Sequence, residues 1–249
     1  MPLLLRPISF ILSAIHYLLF GLILVVFHVL QWLALHLGGY TAHKKVVDGL
    51  NLCTLLNMLV IGARPTLQNT QNLPLGRPII FVSNHQSLYD IPGVGWFFRK
   101  HHVKYVSKKS LGSGIPAISY NLKHGGSVLI DRKKPQEAVR ALQKFGQYIA
   151  KNNYAVLIFP EGTRSKDGKP RRFRKKGLKS LIEHTPNALT VPITINNSWK
   201  LLKNGPLQMP LGVRVTWLVH PPMEITPDNF EEQFGLLEKT ITDAIIAPE

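Results

Sequence analysis

The sequence predicts an α/β domain, a mainly parallel central sheet flanked by helices, preceded by an N-terminal membrane-embedding helical segment. Three observations lead there. Six short apolar runs alternate with helix-period stretches between Pro78 and Ile246. From Pro7 to His43 there is no Asp, Glu, Lys or Arg, and most residues are apolar. Polar clusters follow four of the apolar runs, where an open parallel sheet binds its ligands. The expected division is residues 1–65 for the membrane-associated helices and 66–249 for the α/β domain.

The N-terminal segment contains "ISFILSAIHYLLFGLILVVFHVLQWLALHL", 30 residues that as a helix would extend about 45 Å, more than the hydrocarbon core requires. His16, His28 and His36, with Gln31 and Trp32, argue against a plain single span, because polar groups at that depth are costly away from an interface. A hairpin of two helices sunk into one leaflet suits the same composition. A cleaved signal peptide fits poorly, since the apolar region is too long and no A-x-A-like site ends it. "GGYTAHKKVVDGL" breaks the segment. The next apolar run, "LNLCTLLNMLVIG", has 13 residues, too few to span, and leads onto the domain or lies in the interface. "ARPTLQNTQNLPLGRP" follows, rich in Pro, Asn and Gln, with no predicted element.

Strands are expected at 78–84, 103–108, 127–132, 155–160, 189–195 and 213–220, each a short run rich in β-branched and aliphatic residues. Helices are expected in "DIPGVGWFFRK", "PQEAVRALQKFGQYIAKN", "KKGLKSLIEH" and "NFEEQFGLLEKTITDAII". In the second of these Ala138, Val139, Leu142, Phe145 and Ile149 share one face, and Pro135 stands near its start.

Charge narrows the partners. The chain carries 30 Lys+Arg against 14 Asp+Glu, a net +16, so nucleic acid, phospholipid headgroups and a phosphorylated substrate all qualify. A single cysteine, Cys53, excludes a disulfide within the chain and a cysteine-ligated metal site.

The stretch "FVSNHQSLYD" holds the first catalytic candidates. His85 and Asp90 are five residues apart, which does not place them on one helix face. The spacing suits a loop that carries His85 out of the strand, with Asp90 opening the next helix. The carboxylate could then accept the Nδ1 proton, fix the tautomer and leave Nε2 as a base; the competing reading is a capped polar turn. No G-x-S-x-G elbow is present, and Cys53 sits in apolar surroundings, so the pair lacks a nucleophile of its own. Such a pair can still activate a hydroxyl on a bound substrate, which makes direct acyl or phosphoryl transfer the natural reaction class.

Cations mark the other strand ends. "FPEGTRSKDGKPRRFRKKGLKS" opens with Glu161, Gly162, Thr163 and Arg164, where glycine admits close backbone approach and arginine can grip a phosphate bidentately. The basic run after Arg164 reads mainly as a solvated or membrane-facing loop. Lys108 and Arg132 end two more strands, and Asp131 reads as a turn cap or a partner for a neighbouring arginine.

Together these residues resemble the glycerolipid acyltransferase family, most closely the bacterial 1-acylglycerol-3-phosphate acyltransferases. Four blocks appear in order over roughly residues 78–222: "NHQSLYD", "GGSVLIDR", "FPEGTRS" and "VPITI". The resemblance implies a glycerol-3-phosphate acyltransferase-like fold and transfer of a fatty acyl group from a thioester to the acceptor hydroxyl, giving phosphatidic acid. It implies His85 as general base, Asp90 as its orienter, and no covalent acyl-enzyme. Arg132, Glu161, Gly162 and Arg164 would bind the glycerol-phosphate, with Thr163 in the same block and Lys108 a further phosphate candidate; Pro192 would shape a pocket. It implies no metal and no cofactor, with acyl-CoA or acyl carrier protein as thioester co-substrate. The partners would be a phospholipid membrane and a lysophospholipid, not nucleic acid, and the setting a bacterial cytoplasmic membrane with the catalytic domain on its cytoplasmic side. Two departures bear on the acceptor. "RRFRKKG" stands where the family usually shows P-F-K-x-G, and "GIPAISYNLKHGG" lacks the common aromatic-rich form. Another lysolipid acceptor therefore stays open, as does a non-catalytic basic module for membrane or nucleic acid.

Overall fold

The structure, a computed structural model, describes residues 5–131 and 133–247. A seven-stranded sheet runs in the order β1 (Arg64–Gln68), β7 (Arg214–Val219), β6 (Leu189–Asn196), β2 (Ile79–Ser83), β5 (Ala155–Ile158), β3 (Lys104–Lys108), β4 (Val128–Ile130). All pairs are parallel except β6 with β7. The expected mainly parallel sheet and all six expected strands are present. Alternate residues of β2 feed opposite cores, Ile79 and Phe81 one, Ile80 and Val82 the other. Against the first face lie α1 (Arg6–Asn57), α2 (Asp90–Phe97) and α3 (Ile118–His124). Against the second lie α4 (Pro135–Asn152), α5 (Lys175–His184) and α6 (Phe230–Asp243).

Two elements have no counterpart in the sequence reading. β1 lies within the Pro-, Asn- and Gln-rich stretch and is an edge strand paired only with β7, a place where Pro65 is tolerated because one side needs no donor. α3 has seven residues, too short for helical periodicity to register, and is entered through Ala117 at φ 57°.

α1 is a hairpin. Gly39, at φ 63° and ψ −159°, occupies backbone space open essentially to glycine alone and separates an arm over 6–38 from one over 40–57. His43 Nε2 and Gln31 Oε1, 3.1 Å apart, and Asn57 Nδ2 donating to His16 O at 3.0 Å, tie the arms antiparallel. The run expected to lead onto the domain is the end of the second arm, continued by a 3₁₀ turn at Met58–Ile61.

The first arm turns its serines and His16 inward beside Leu24 and the partly buried Leu12, Tyr17 and Phe20, and most of its large aliphatic residues outward. Ser9, Ser13 and His16 are fully buried, whereas Ile11, Leu18, Leu22, Val25 and Val29 are exposed. Its polar groups bond the globular domain along the helix: Ser9 Oγ donates to Met209 O (2.8 Å), Met209 N to Ser13 Oγ (3.0 Å) and Ala117 N to His28 Nδ1 (3.2 Å). At the bend, Lys104 Nζ donates to the Tyr40 hydroxyl at 2.7 Å. The hairpin thus lies along the domain, and the helix is long and apolar enough to cross a membrane by length and composition. Its outward apolar stripe points to membrane association.

Close packing places the start of α2. A Cβ on Gly93 would lie 2.2 Å from the Trp217 ring, and Trp217 Nε1 donates to Asp90 O at 3.1 Å. Gly93→Ala is expected to destabilise the fold by about 1–3 kcal/mol through this overlap. The measurement is the denaturation midpoint in detergent, and an unchanged midpoint would contradict the tight contact.

Candidate active site

His85 leaves the carboxyl end of β2, the central strand. Asn84 steers it: Asn84 Nδ2 donates to Ile195 O (2.8 Å) and Ile195 N donates to Asn84 Oδ1 (2.7 Å), so its amide replaces a backbone rung where β2 ends. The chain then turns and enters α2 at Asp90, as the spacing predicted. The Asp90 carboxylate is fully buried. Its Oδ2 accepts from Gln86 N (2.7 Å), Ser87 N (2.9 Å) and His85 Nδ1 (2.8 Å). Its Oδ1 accepts from Ser198 Oγ (2.5 Å) and Ser87 Oγ (3.3 Å).

Capped turn and orienting pair are therefore one arrangement. A carboxylate that accepts two backbone N–H groups takes the hydrogen of Nδ1 as well, which leaves Nε2 bare. The ring lies against Phe159, centroids 4.0 Å apart and planes 13° from parallel. Among the described residues, Asp90 is the one side chain hydrogen-bonded to the imidazole, so no hydroxyl or thiol stands poised beside Nε2.

His85 opens onto a cavity of about 670 Å³. Lys108, from the end of β3, and Gly162, Thr163 and Arg164, from the turn after β5, line it, so the structure brings these expected residues together with His85. Gly162 has φ 72°, and its N–H donates to Phe159 O at 3.0 Å, closing the turn that presents Thr163 and Arg164. Arg174 and Lys176 line the same cavity, although the basic run reads from sequence as a loop outside the site. Ile130, Ala138, Val139 and Leu142 supply an apolar wall. One space therefore offers an apolar wall, a cationic region and a base, the combination a phosphorylated amphiphile requires.

The remaining expected residues are placed differently. Arg132 lies outside the described residues. Asp131 caps its turn, accepting from Lys133 N at 2.9 Å. Pro192 is buried in β6 beside Val82 and is not among the residues lining the His85 cavity. Glu161 is 2% exposed and sits behind the turn that carries His85, its Oε1 3.4 Å from His85 N and its Oε2 without a partner among the described residues. It borders a second cavity of about 640 Å³ with Arg171, Arg172 and Arg174, and Thr163 and Arg174 belong to both cavities. Burial raises the Glu161 carboxyl to about 8, with the His85 N–H acting more weakly in the opposite sense.

The model of the Acyltransferase family matches residues 64–196, more than half of the chain. The chain belongs to the acyltransferase family. The matched region contains the central strand, His85, Asp90 and the Glu161–Arg164 turn. Among curated relatives, a 1-acyl-sn-glycerol-3-phosphate acyltransferase of Chlamydomonas reinhardtii is 34% identical over 156 residues, 62% of this chain and 45% of that protein. The chloroplastic enzyme of that name from Arabidopsis thaliana is 32% identical over 161 residues, 63% of this chain and 43% of its own. One from Saccharomyces cerevisiae is 32% identical over 190 residues, 76% of this chain and 60% of its own. The alignments thus span less than half the length of the algal and Arabidopsis proteins. The crystal structure of the 1-acyl-sn-glycerophosphate acyltransferase of Thermotoga maritima superposes with a TM-score of 0.74 at 22% identity, covering 96% of this chain and 95% of that one. That likeness extends the shared fold to nearly the whole chain, hairpin included.

Ser198, Trp217, Asn84 and Phe159 escaped the sequence reading as site residues. Asn84 and Phe159 open the blocks "NHQSLYD" and "FPEGTRS" at strand ends and so carried a signal. Ser198 reaches Asp90 across 108 residues of sequence and carried none.

Glu161 yields a pH dependence of stability. Its folded value, about 8, is above its ordinary 4.5, so the folded state holds a proton that the unfolded chain releases. Its contribution is fully retained below 4.5 and declines as pH rises towards about 8, then levels off. Glu161→Gln is expected to gain stability relative to wild type across that window. Denaturant midpoints of both proteins from pH 5 to 9 test it, and a constant difference would contradict a buried, protonated carboxyl.

Proposed function

We propose that the chain is an O-acyltransferase that acylates the free hydroxyl of 1-acylglycerol-3-phosphate, giving phosphatidic acid. The observation that carries this is the bare Nε2 of His85, held by a buried carboxylate, at a cavity that joins cationic and apolar walls. In the reaction His85 takes the hydroxyl proton as the oxygen attacks the thioester carbonyl. A C–O ester bond forms, the C–S bond breaks, and the proton passes from Nε2 to the departing thiolate. With no hydroxyl or thiol among the described residues bonded to the imidazole, the substrate's own oxygen is the nucleophile and no acyl-enzyme forms.

Roles follow from placement. Lys108, Arg164 and Arg174 are in none of the ion pairs among the described residues, so they are open to a phosphate. The acyl chain lies along Ala138, Val139 and Leu142. Arg132 joins the phosphate contacts by its place in the sequence, and Glu161 acts from behind the loop, holding its two turns together. No metal or cofactor takes part; the donor is a thioester of coenzyme A or acyl carrier protein. The hairpin lies in one leaflet with its apolar stripe in lipid, and the domain rests on the cytoplasmic face of a bacterial membrane, the side where basic segments accumulate.

Purified protein given 1-acylglycerol-3-phosphate and an acyl thioester should form phosphatidic acid, and vesicle binding without product would leave only a basic membrane-binding module. His85→Ala should lose at least about a hundredfold in turnover, the usual contribution of a general base. Arg164→Ala should raise KM for the phosphorylated acceptor and leave that for the donor nearly unchanged; equal effects on both would contradict its role. Membranes washed with alkaline carbonate should retain the protein, and release into the supernatant would contradict a lipid-embedded hairpin.

A further inference from the structure

Tyr89 stands immediately before Asp90 and is fully buried, but it does not line the His85 cavity. Its hydroxyl is 2.6 Å from His16 Nε2, on the first arm of the hairpin and 73 residues away in sequence. His16 Nδ1 is 3.0 Å from Asn57 O. A carbonyl oxygen only accepts, so Nδ1 carries the hydrogen, Nε2 is the acceptor and the Tyr89 hydroxyl donates. Asn57 Nδ2 returns a bond to His16 O at 3.0 Å, which locks the two arms at this level. Asn57, His16 and Tyr89 are all buried. Aromatic contacts support the same point: the Tyr89 ring lies 5.7 Å from that of His16 and 6.5 Å from that of Phe20, centroid to centroid.

The backbone at Tyr89 has little freedom to absorb a shift of its side chain. Tyr89 N donates to Ser87 Oγ (3.1 Å), Ser87 Oγ donates to Asp90 Oδ1 (3.3 Å), and Trp217 Nε1 holds Asp90 O (3.1 Å). The segment that joins the Tyr89 side chain to the Asp90 carboxylate is thus held at both residues.

We propose that the Asn57–His16–Tyr89 chain is a positioning element through which the docked hairpin sets Asp90 and, through it, the His85 imidazole. His16 and Tyr89 are positioning residues in this assignment. The outward face of the same arm is the apolar stripe, so the seating of the hairpin at the membrane and the geometry of the base are mechanically linked. The proposal rests on the transferase reading for its kinetic readout only.

The test compares the full-length wild type with His16→Leu, Tyr89→Phe, the double variant and His16→Gln, in vesicles of phosphatidylglycerol and phosphatidylethanolamine. Turnover with 1-acylglycerol-3-phosphate is scaled to the folded fraction of each protein. His16→Leu removes the acceptor 2.6 Å from the Tyr89 hydroxyl, which must then turn towards the neighbouring Tyr17, and kcat is expected to fall about tenfold to a hundredfold with KM little changed. His16→Gln, whose amide oxygen can accept from Tyr89, should keep most of the activity. The double variant leaves neither group unpaired and should exceed His16→Leu. Nitrogen-15 NMR of the histidine side chains adds a readout independent of turnover: one Nδ1–H tautomer for His85 in wild type, a mixture in His16→Leu. Unchanged kcat per folded molecule together with an unchanged His85 tautomer would overturn the proposal. Should the wild type form no phosphatidic acid, the transferase reading fails, and the tautomer comparison alone decides the positioning role.

Discussion

A carboxylate with no access to water has to be surrounded by donors, and that requirement at Asp90 organises much of this structure. Five donors reach its two oxygens. Two are backbone N–H groups, which fix the turn after β2. One is Ser198, which brings the segment after β6 beneath the turn. One is His85, whose ring is then restricted to a single tautomer and direction. The residue's own carbonyl is taken by Trp217 from β7, and Gly93 leaves the space that the indole needs. Loss of any one contact leaves a charged group short of a partner inside the protein, which costs far more than the contact contributes when made. The central strands and the turn that carries His85 are thus bound to the same point.

The hairpin follows a related rule in reverse. In a water-soluble helix the apolar face seeks the core, yet here Ser9, Ser13 and His16 face the domain alongside Leu12 and Leu24, and most of the large aliphatic residues face out. Between a helix and a domain that meet in lipid, apolar contact gives little preference, because lipid tails solvate leucine as well as a protein does. Hydrogen bonds then decide which face docks. Two of the three histidines that complicate a simple span fit this: His16 bonds Tyr89 and His28 bonds Ala117. The third, His36, is exposed and its Nδ1 lies 2.8 Å from Trp32 O in its own helix.

The two cavities divide the electrostatic work around one turn. Gly162 lets the chain reverse so that Arg164 lines the His85 cavity and Glu161 the second one, with Thr163 bordering both. Burial keeps a proton on Glu161 near neutral pH, so the positive potential around Arg164 and Arg174 is not offset by a carboxylate immediately behind it. Arg174 stands where the two cavities meet, its guanidinium 3.7 Å from the position of a Cβ on Gly162. A basic loop that reads as solvent-facing in one dimension therefore contributes a wall of the site.

The sequence by itself determined most of the elements and the pairing of His85 with Asp90. Continuous apolar runs mark β2 to β7 and stretches of helical character mark α2 and α4 to α6, because burial of a strand or of a helix face is a short-range pattern. His85 and Asp90 are legible for the same reason, since a turn of five residues needs no distant information. β1 and α3 were not legible, the one an edge strand containing Pro65, the other shorter than the period that would reveal it. Only the tertiary structure decided which groups hold the pair. Ser198 is 108 residues from Asp90 and Trp217 is 127, while His16 meets Tyr89 across 73. Such meetings depend on the order in which strands are laid into the sheet and on which face of α1 carries hydrogen bonds, and neither is written in any local stretch of the chain. The same holds for Glu161, whose burial behind the loop follows from how the turns at 85 and 161 close on one another.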